Sequence, residues 1–404
     1  MKKIKLGILG IGNIGGNHMR LIHEGKCPEV ELCAVCDIKP ERMDPVRERF
    51  GESVAYFTQA EEMIASGQID SLLVAVPHYD HPKYAIMAMR AGLHVLIEKP
   101  AGVYTSQVLE MNRAADECGK VFGIMMNQRT NSVYRKMREI VKSGELGAIR
   151  RTNWIITNWY RPQAYYDSGD WRATWSGEGG GVLLNQCPHN LDLWQWICGM
   201  PVRISAKMHF GKWHDIEVED DVSAYVEYEN GATGVFITTT GDAPGTNRFE
   251  ISLEKGKLIA EGDKLTMWKS EISEPEFSKT NTVPFGSMKF TRTEVETDGQ
   301  NPQHTGVINA FAAAILRSEP LVADGREGIN GLTISNAMHL SAWTGKEIEL
   351  AEFDHERFLS ELSARVATSR RKENVREMLS SDMASTFGGT EANALRDKRW
   401  NTNW

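Results

Sequence analysis

The feature that most constrains the fold is a glycine-rich turn set directly after an apolar run: Ile4-Lys5-Leu6-Gly7-Ile8-Leu9-Gly10-Ile11-Gly12-Asn13-Ile14-Gly15. A helical stretch through Leu21 and Ile22 follows, which is the order of parts in a dinucleotide-binding βαβ unit. Gly10 permits the tight turn, Gly12 lets the backbone approach a pyrophosphate, and Gly15 lets helix pack on strand. The helix N-terminus then offers N–H groups and a positive dipole end to phosphates. Such a turn alone is weak evidence. Here, however, the next apolar run, Val30 to Cys36, ends in Asp37, about 20 residues on, where an acid holds a ribose 2′-hydroxyl. A carboxylate there repels a 2′-phosphate, so NAD is favoured over NADP, with Lys39 and Arg42 as a partial offset.

Strand and helix patterns alternate up to about residue 125. Leu72 to Val76 is a buried-type strand stopped by Pro77, Pro82 to Ala91 a helix ended by Gly92, and His94 to Ile97 a strand leading into Glu98-Lys99-Pro100. A helix over 105–118 and a strand over 121–126 follow. The alternation predicts a doubly wound parallel sheet with its site at the carboxyl ends of the strands. Asp37, Pro77, Lys99 and Asn127 all fall at such ends. Past about residue 148 the pattern becomes short strands with hairpin signals such as Glu229-Asn230-Gly231. This predicts an α+β domain with a large, mostly antiparallel open sheet, covered or buttressed by helices near 305–317 and 329–343. The expected division is 1–125 for a Rossmann domain, 126–355 for a substrate and oligomerisation domain, and 356–404 for a helical tail. Trp400 and Trp404 suit docking of that tail on a partner subunit or on its own domain.

The 404 residues carry 46 basic and 54 acidic side chains, a net charge of −8, and no basic stripe, which argues against nucleic acid as the main partner. A strand that begins within a few residues of the start leaves no room for a secretory signal, and no apolar run is long enough to span a bilayer. A cytoplasmic protein is expected. The six cysteines form no framework: Cys33-Ala34-Val35-Cys36 lies inside a strand, with no second pair at zinc spacing. His78-Tyr79-Asp80-His81 follows a strand into the cofactor crevice and suits contact with cofactor or substrate. No metal is expected.

Two stretches carry candidate chemistry. Lys99, between Glu98 and Pro100, is an ammonium at the end of a buried strand, where partial desolvation lowers its pKa towards acid–base range. In Gly179-Gly180-Gly181-Val182-Leu183-Leu184-Asn185-Gln186-Cys187-Pro188-His189-Asn190-Leu191-Asp192, Pro188 starts a helix that brings Asn185 and His189 to its entrance. Asp192, three residues on, is spaced to orient the His189 imidazole. Seven of the 11 tryptophans lie between Trp154 and Trp213. The segment from Trp159 to Trp175 interleaves rings with polar groups, which suits either the faces and hydroxyls of a sugar or a loop packing its own aromatics.

At these residues the chain resembles the Gfo/Idh/MocA family of nicotinamide-dependent oxidoreductases, which includes inositol dehydrogenases and glucose–fructose oxidoreductase. The resemblance spans roughly residues 1–355. It rests on Gly10 to Gly15, Glu98-Lys99-Pro100, Trp171-Arg172, the Gly179 to Asp192 stretch and Ser341-Ala342-Trp343-Thr344-Gly345-Lys346. It implies that Lys99 and His189 flank the reacting carbinol and that Arg172 lies near the cofactor. Contacts to NAD are expected from Gly10, Gly12, Asn13, Ile14, Gly15, Asp37 and Ile38. The later strand ends add Ala75, Val76, Pro77, His81, Glu98, Lys99, Asn127 and Arg172. Contacts to substrate are expected from Tyr160, Trp171, Arg172, Trp175, Asn185 and Asp192. Many relatives carry an aspartate where this chain has Asn185, so an acid–base relay through that position is closed and the role shifts to His189 or Lys99. The implied activity is hydride transfer between a ring hydroxyl of a sugar, glycoside or cyclitol and the nicotinamide, in a homo-oligomer, either dimer or tetramer. The alternatives are glycoside cleavage through transient C3 oxidation and elimination, and a non-catalytic NAD-binding role.

Overall fold

Six parallel strands form the first sheet: β1 (Ile4–Leu9), β2 (Val30–Cys36), β3 (Ala55–Phe57), β4 (Ser71–Val74), β5 (His94–Ile97) and β6 (Phe122–Ile124), in the order β3-β2-β1-β4-β5-β6. The computed structural model describes residues 2–372 and 375. Period-two alternation divides the side chains between two cores. Ile4, Leu6 and Ile8 of β1 face Met19 and Ile22 of the helix Asn13–His23. Leu72 and Val74 of β4, with Val95 and Ile97 of β5, face Ala85, Ala88, Val108 and Met111 of the two following helices. The order reverses between β1 and β4, which opens a crevice at their carboxyl ends.

The second sheet has nine strands. They are β7 (Ile149–Ile156), β8 (Arg203–Phe210), β9 (Glu219–Glu227), β10 (Thr233–Thr239), β11 (Asn247–Leu253), β12 (Gly256–Glu261), β13 (Lys264–Lys269), β14 (Thr291–Val295) and β15 (Ile348–Glu349). Their order is β14-β13-β12-β11-β7-β10-β9-β8-β15. Among the described strands, β7 and β10 pair in parallel and every other pairing of this sheet is antiparallel. On β9, Val222, Ala224 and Val226 are buried while Ser223 and Tyr225 are exposed, so one face is covered and the other open. The helices Pro188–Cys198 and Gly328–Thr344 supply the cover. They approach closely, since a Cβ on Gly331 would lie 3.3 Å from the Asp192 amide nitrogen.

Two expectations differ. The helix Gln303–Arg317 does not buttress the second sheet. Its Val307, Ile308, Phe311 and Ala312 pack against Ile4, Leu6 and Ile8 of β1, because the exposed face of a parallel sheet must also be covered. Of the helical tail expected over 356–404, the described residues hold one helix, His355–Ala367. The tail from 376 on, with Trp400 and Trp404, lies outside the described residues.

Candidate active site

The glycine turn is built as its residues require. Gly10 has φ of +87°, and a Cβ there would lie 2.6 Å from the Ala75 carbonyl oxygen of the neighbouring strand end. A Cβ on Gly15 would lie 1.9 Å from the Gly10 carbonyl oxygen, so helix and strand pack without side chains between them. Gly12 is different. A Cβ there would meet only the Arg42 guanidinium, 3.9 Å away, so the protein leaves that side open. Gly12 caps the helix Asn13–His23 with no side-chain acceptor, and Asn13 and Ile14 begin its first turn. Asp37 Oδ2 accepts from Ile11 N at 3.0 Å and Oδ1 from Lys39 N at 2.9 Å, which holds the carboxylate at the end of β2. Arg42 Nη1 lies 3.3 Å from Asp37 Oδ2, and Ile38 beside it is 81% exposed. At the end of β6, Asn127 is fully buried; its Nδ2 donates to Gln303 Oε1 at 2.6 Å while its Oδ1 has no hydrogen-bond partner among the described residues. An open glycine cradle, uncapped amides, an acid at the end of β2 and a buried acceptor fit a nicotinamide dinucleotide.

Across the crevice, around Lys99, the chain gathers buried ionisable groups. Lys99 Nζ donates to the Asn185 carbonyl oxygen at 2.9 Å, which joins the end of β5 to the approach of the helix Pro188–Cys198. Burial lowers the Lys99 pKa; Glu98 and Glu178 pull it back up, while Arg172 and Arg161 add to the fall. Burial, then the Lys99 charge, hold His189 far below the ordinary histidine range, so its imidazole is neutral at pH 7 and able to accept a proton. Arg172 donates to the Tyr165 hydroxyl at 2.8 Å and lies over the rings of Tyr165 and Trp171. Trp171 in turn meets His78 edge-on.

Glu98 sits on a second side of Lys99. His18 Nε2 is 2.7 Å from Glu98 Oε1 with both side chains buried, and His304 packs edge-on to His18. Burial alone would raise the Glu98 carboxyl, but the hydrogen bond and charge of His18, then His304 and Lys99, hold it at about 2. Its folded pKa is therefore below the reference 4.5, and the stabilisation is complete above that value and lost as pH falls towards 2. Glu98→Gln is expected to destabilise the fold by about 3 kcal/mol at neutral pH. Thermal melts of both proteins should converge as pH falls through that window. A constant difference would detach the effect from the carboxylate.

Three expected contacts are corrected. Asp192 does not orient His189; both its oxygens take the Arg129 guanidinium, at 2.7 and 2.8 Å, because a bidentate, fully charged donor outcompetes an imidazole. Trp175 is only 6% exposed and packs on Phe210, His339 and Trp343, so its ring belongs to the core and offers no platform. His81 is likewise turned inward, with Nδ1 2.7 Å from Pro100 O and Nε2 2.8 Å from Val76 O, bracing the segments that follow β4 and β5. Tyr160 is 48% exposed. Among the described residues no group of three or more His, Cys, Asp or Glu side chains is arranged to hold a metal ion, and no helix is long and apolar enough to cross a membrane. His18, Arg129 and Glu178 were not singled out from sequence; each meets its partner across dozens of residues or through a loop.

Residues 4–126 match the family described as an oxidoreductase family with an NAD-binding Rossmann fold, and residues 134–259 match the GFO/IDH/MocA C-terminal domain. D-glucoside 3-dehydrogenase of Escherichia coli (strain K12) is 24% identical over 86% of this chain and 97% of its own length. Myo-inositol 2-dehydrogenase of Thermotoga maritima is 23% identical, over 65% of this chain and 77% of its own. Among solved structures, the WlbA dehydrogenase from Bordetella pertussis, in complex with NADH and UDP-GlcNAcA, superposes with a TM-score of 0.74 at 27% identity, covering 88% of this chain and 99% of its own. The glycine cradle on one side and the Lys99–Asn185–His189 constellation on the other thus belong to a nicotinamide-dependent oxidoreductase of the GFO/IDH/MocA family.

Proposed function

We propose that the chain is an NAD-dependent dehydrogenase that exchanges a hydride with a ring hydroxyl of a sugar, glycoside or cyclitol. The observation that carries this reading is the Lys99 ammonium held on the Asn185 carbonyl beside a buried, neutral His189. Residues 1–125 hold the dinucleotide and 126–355 supply the substrate face. The cofactor, bound in the glycine cradle, supplies the hydride acceptor. The chain's residues handle the proton. His189 accepts it from the carbinol hydroxyl at an imidazole nitrogen, and the Lys99 ammonium stabilises the oxygen as charge develops. Trp171, Tyr160 and the Arg172–Tyr165 pair form a polar–aromatic rim suited to a sugar's CH face and hydroxyls. Asp37, engaged through both oxygens, favours a ribose hydroxyl over a 2′-phosphate and so NAD over NADP. The open face of the second sheet, where Ile155 and Tyr225 are exposed, supports self-association.

The test is a panel of sugars, inositols and glycosides with NAD and with NADP, following reduced-nicotinamide absorbance and products together. Growth of absorbance with one polyol and NAD is the expected result. Aglycone release without it would replace dehydrogenation by oxidation-assisted elimination. NAD binding without turnover on any member would overturn the substrate class.

A further inference from the structure

A carboxylate that no part of the proton-handling scheme yet uses lies on the far side of Asn185 from Lys99. Glu178, in the loop that leads to the three glycines, is 2% exposed. Its Oε2 accepts from the Ala173 amide at 2.6 Å and its Oε1 accepts from Asn185 Nδ2. Ala173 adopts a φ of 52°, a left-handed conformation unfavourable for a residue with a Cβ and held here against the Glu178 carboxylate. Asn185 therefore links two charges: its side-chain amide donates to Glu178 and its backbone carbonyl accepts from Lys99.

The geometry points to Glu178 as the positioning residue of this crevice: a buried carboxylate that fixes Asn185 and keeps Lys99 a cation facing the reacting oxygen. This rests on the dehydrogenase reading and names the source of charge balance that an aspartate at position 185 would otherwise provide. Facing Lys99 are Glu98 on its own strand end, Glu178, Arg172 and Arg161 from the aromatic segment, and His78, His81, His189 and His304. Facing Glu178 are Arg172 and Lys372 and the Tyr166 ring. Lys372 is anchored by donating to the Tyr166 carbonyl at 2.6 Å. Burial, with Arg172 and Arg161, favours the neutral form of Lys99, and Glu98 and Glu178 oppose it. Burial raises the Glu178 carboxyl above its ordinary value, while Arg172, the Ala173 amide, the Asn185 amide and Lys372 pull it back down.

Removing that charge should lower the pH at which Lys99 loses its proton. The primary readout is independent of any substrate: competitive acetylation of the folded protein with acetic anhydride across a pH series, with Lys99 modification read by mass spectrometry. Glu178→Gln keeps the shape and one of the two acceptor positions but not the charge. It is expected to move Lys99 titration down by about one pH unit, and Glu178→Asp to restore it. With a turned-over substrate, the alkaline limb of kcat should shift by the same amount. Unchanged Lys99 titration in Glu178→Gln overturns the proposal whatever the activity. A shifted titration in a protein that oxidises nothing overturns the dehydrogenase reading alone. Should Glu178→Gln fail to fold, the exchanged pair Glu178→Gln with Asn185→Asp keeps one carboxylate and one amide. Lys99 must then titrate as in the parent chain, and a lower titration in that pair sinks the idea.

Discussion

Lys99→Met is expected to lower kcat by about 10²- to 10⁴-fold, the range for a positioned acid–base group, while the dinucleotide still binds. The methionine keeps the length of the stem and removes the charge and the donor. The Asn185 carbonyl, which accepts from Lys99 Nζ at 2.9 Å, loses its hydrogen bond, at a cost to stability of about 1–3 kcal/mol. His189 also loses a neighbouring cation that helps hold its pKa low, so its protonation moves upward. The working form needs a neutral His189 and a charged Lys99. The rate therefore climbs on the acid side as His189 deprotonates and falls on the alkaline side as Lys99 does. In Lys99→Met the alkaline fall should disappear and the acid rise should move to higher pH. Steady-state kinetics across pH, with dinucleotide affinity by calorimetry, checks both. Full turnover with normal affinity would remove Lys99 from the chemistry.

Lys99 was legible because local sequence exposes it: an apolar run, a charge at its end, then proline. The same holds for Gly10 to Gly15, and for the strands of both sheets whose period-two burial is written into alternating residues. What was not legible depends on partners brought from afar. Asp192 and His189 share a helix at a spacing that lets them meet, but Arg129, 63 residues before Asp192, arrives with a better geometry. Trp175 sits in the same aromatic segment as Trp171, and only the positions of Phe210, His339 and Trp343 decide that its ring turns inward. The apolar stripe of Val307, Ile308 and Phe311 says that the helix Gln303–Arg317 covers something; it does not say which sheet. Glu178 stood in plain view before the glycines, but a glutamate in a loop is ordinarily solvated, and nothing local reports that its carboxylate is buried against Asn185.

Asp192→Ala is expected to destabilise the fold by about 3–5 kcal/mol, and here the loss of stability should come before any loss of chemistry. Both side chains of the Arg129–Asp192 pair are 2% exposed, so the alanine would leave a guanidinium buried with one oxygen of Glu327, at 2.8 Å, and the Trp196 ring as its remaining partners. The pair ties the turn after β6 to the helix Pro188–Cys198, and Glu327 ties both to the turn that precedes the helix Gly328–Thr344. Removing both charges is a different change from removing one. Arg129→Met with Asp192→Leu replaces the pair by apolar volume and should recover most of the lost stability, since such replacements are often neutral or better. Denaturant unfolding of the two variants separates the cases. If Asp192 instead served His189 directly, the single variant would melt like the parent chain while losing turnover, and the double variant would recover nothing. A fold that weakens in the single variant and recovers in the double one, with turnover following stability, makes this ion pair the brace that holds the His189 helix in register with the end of β5.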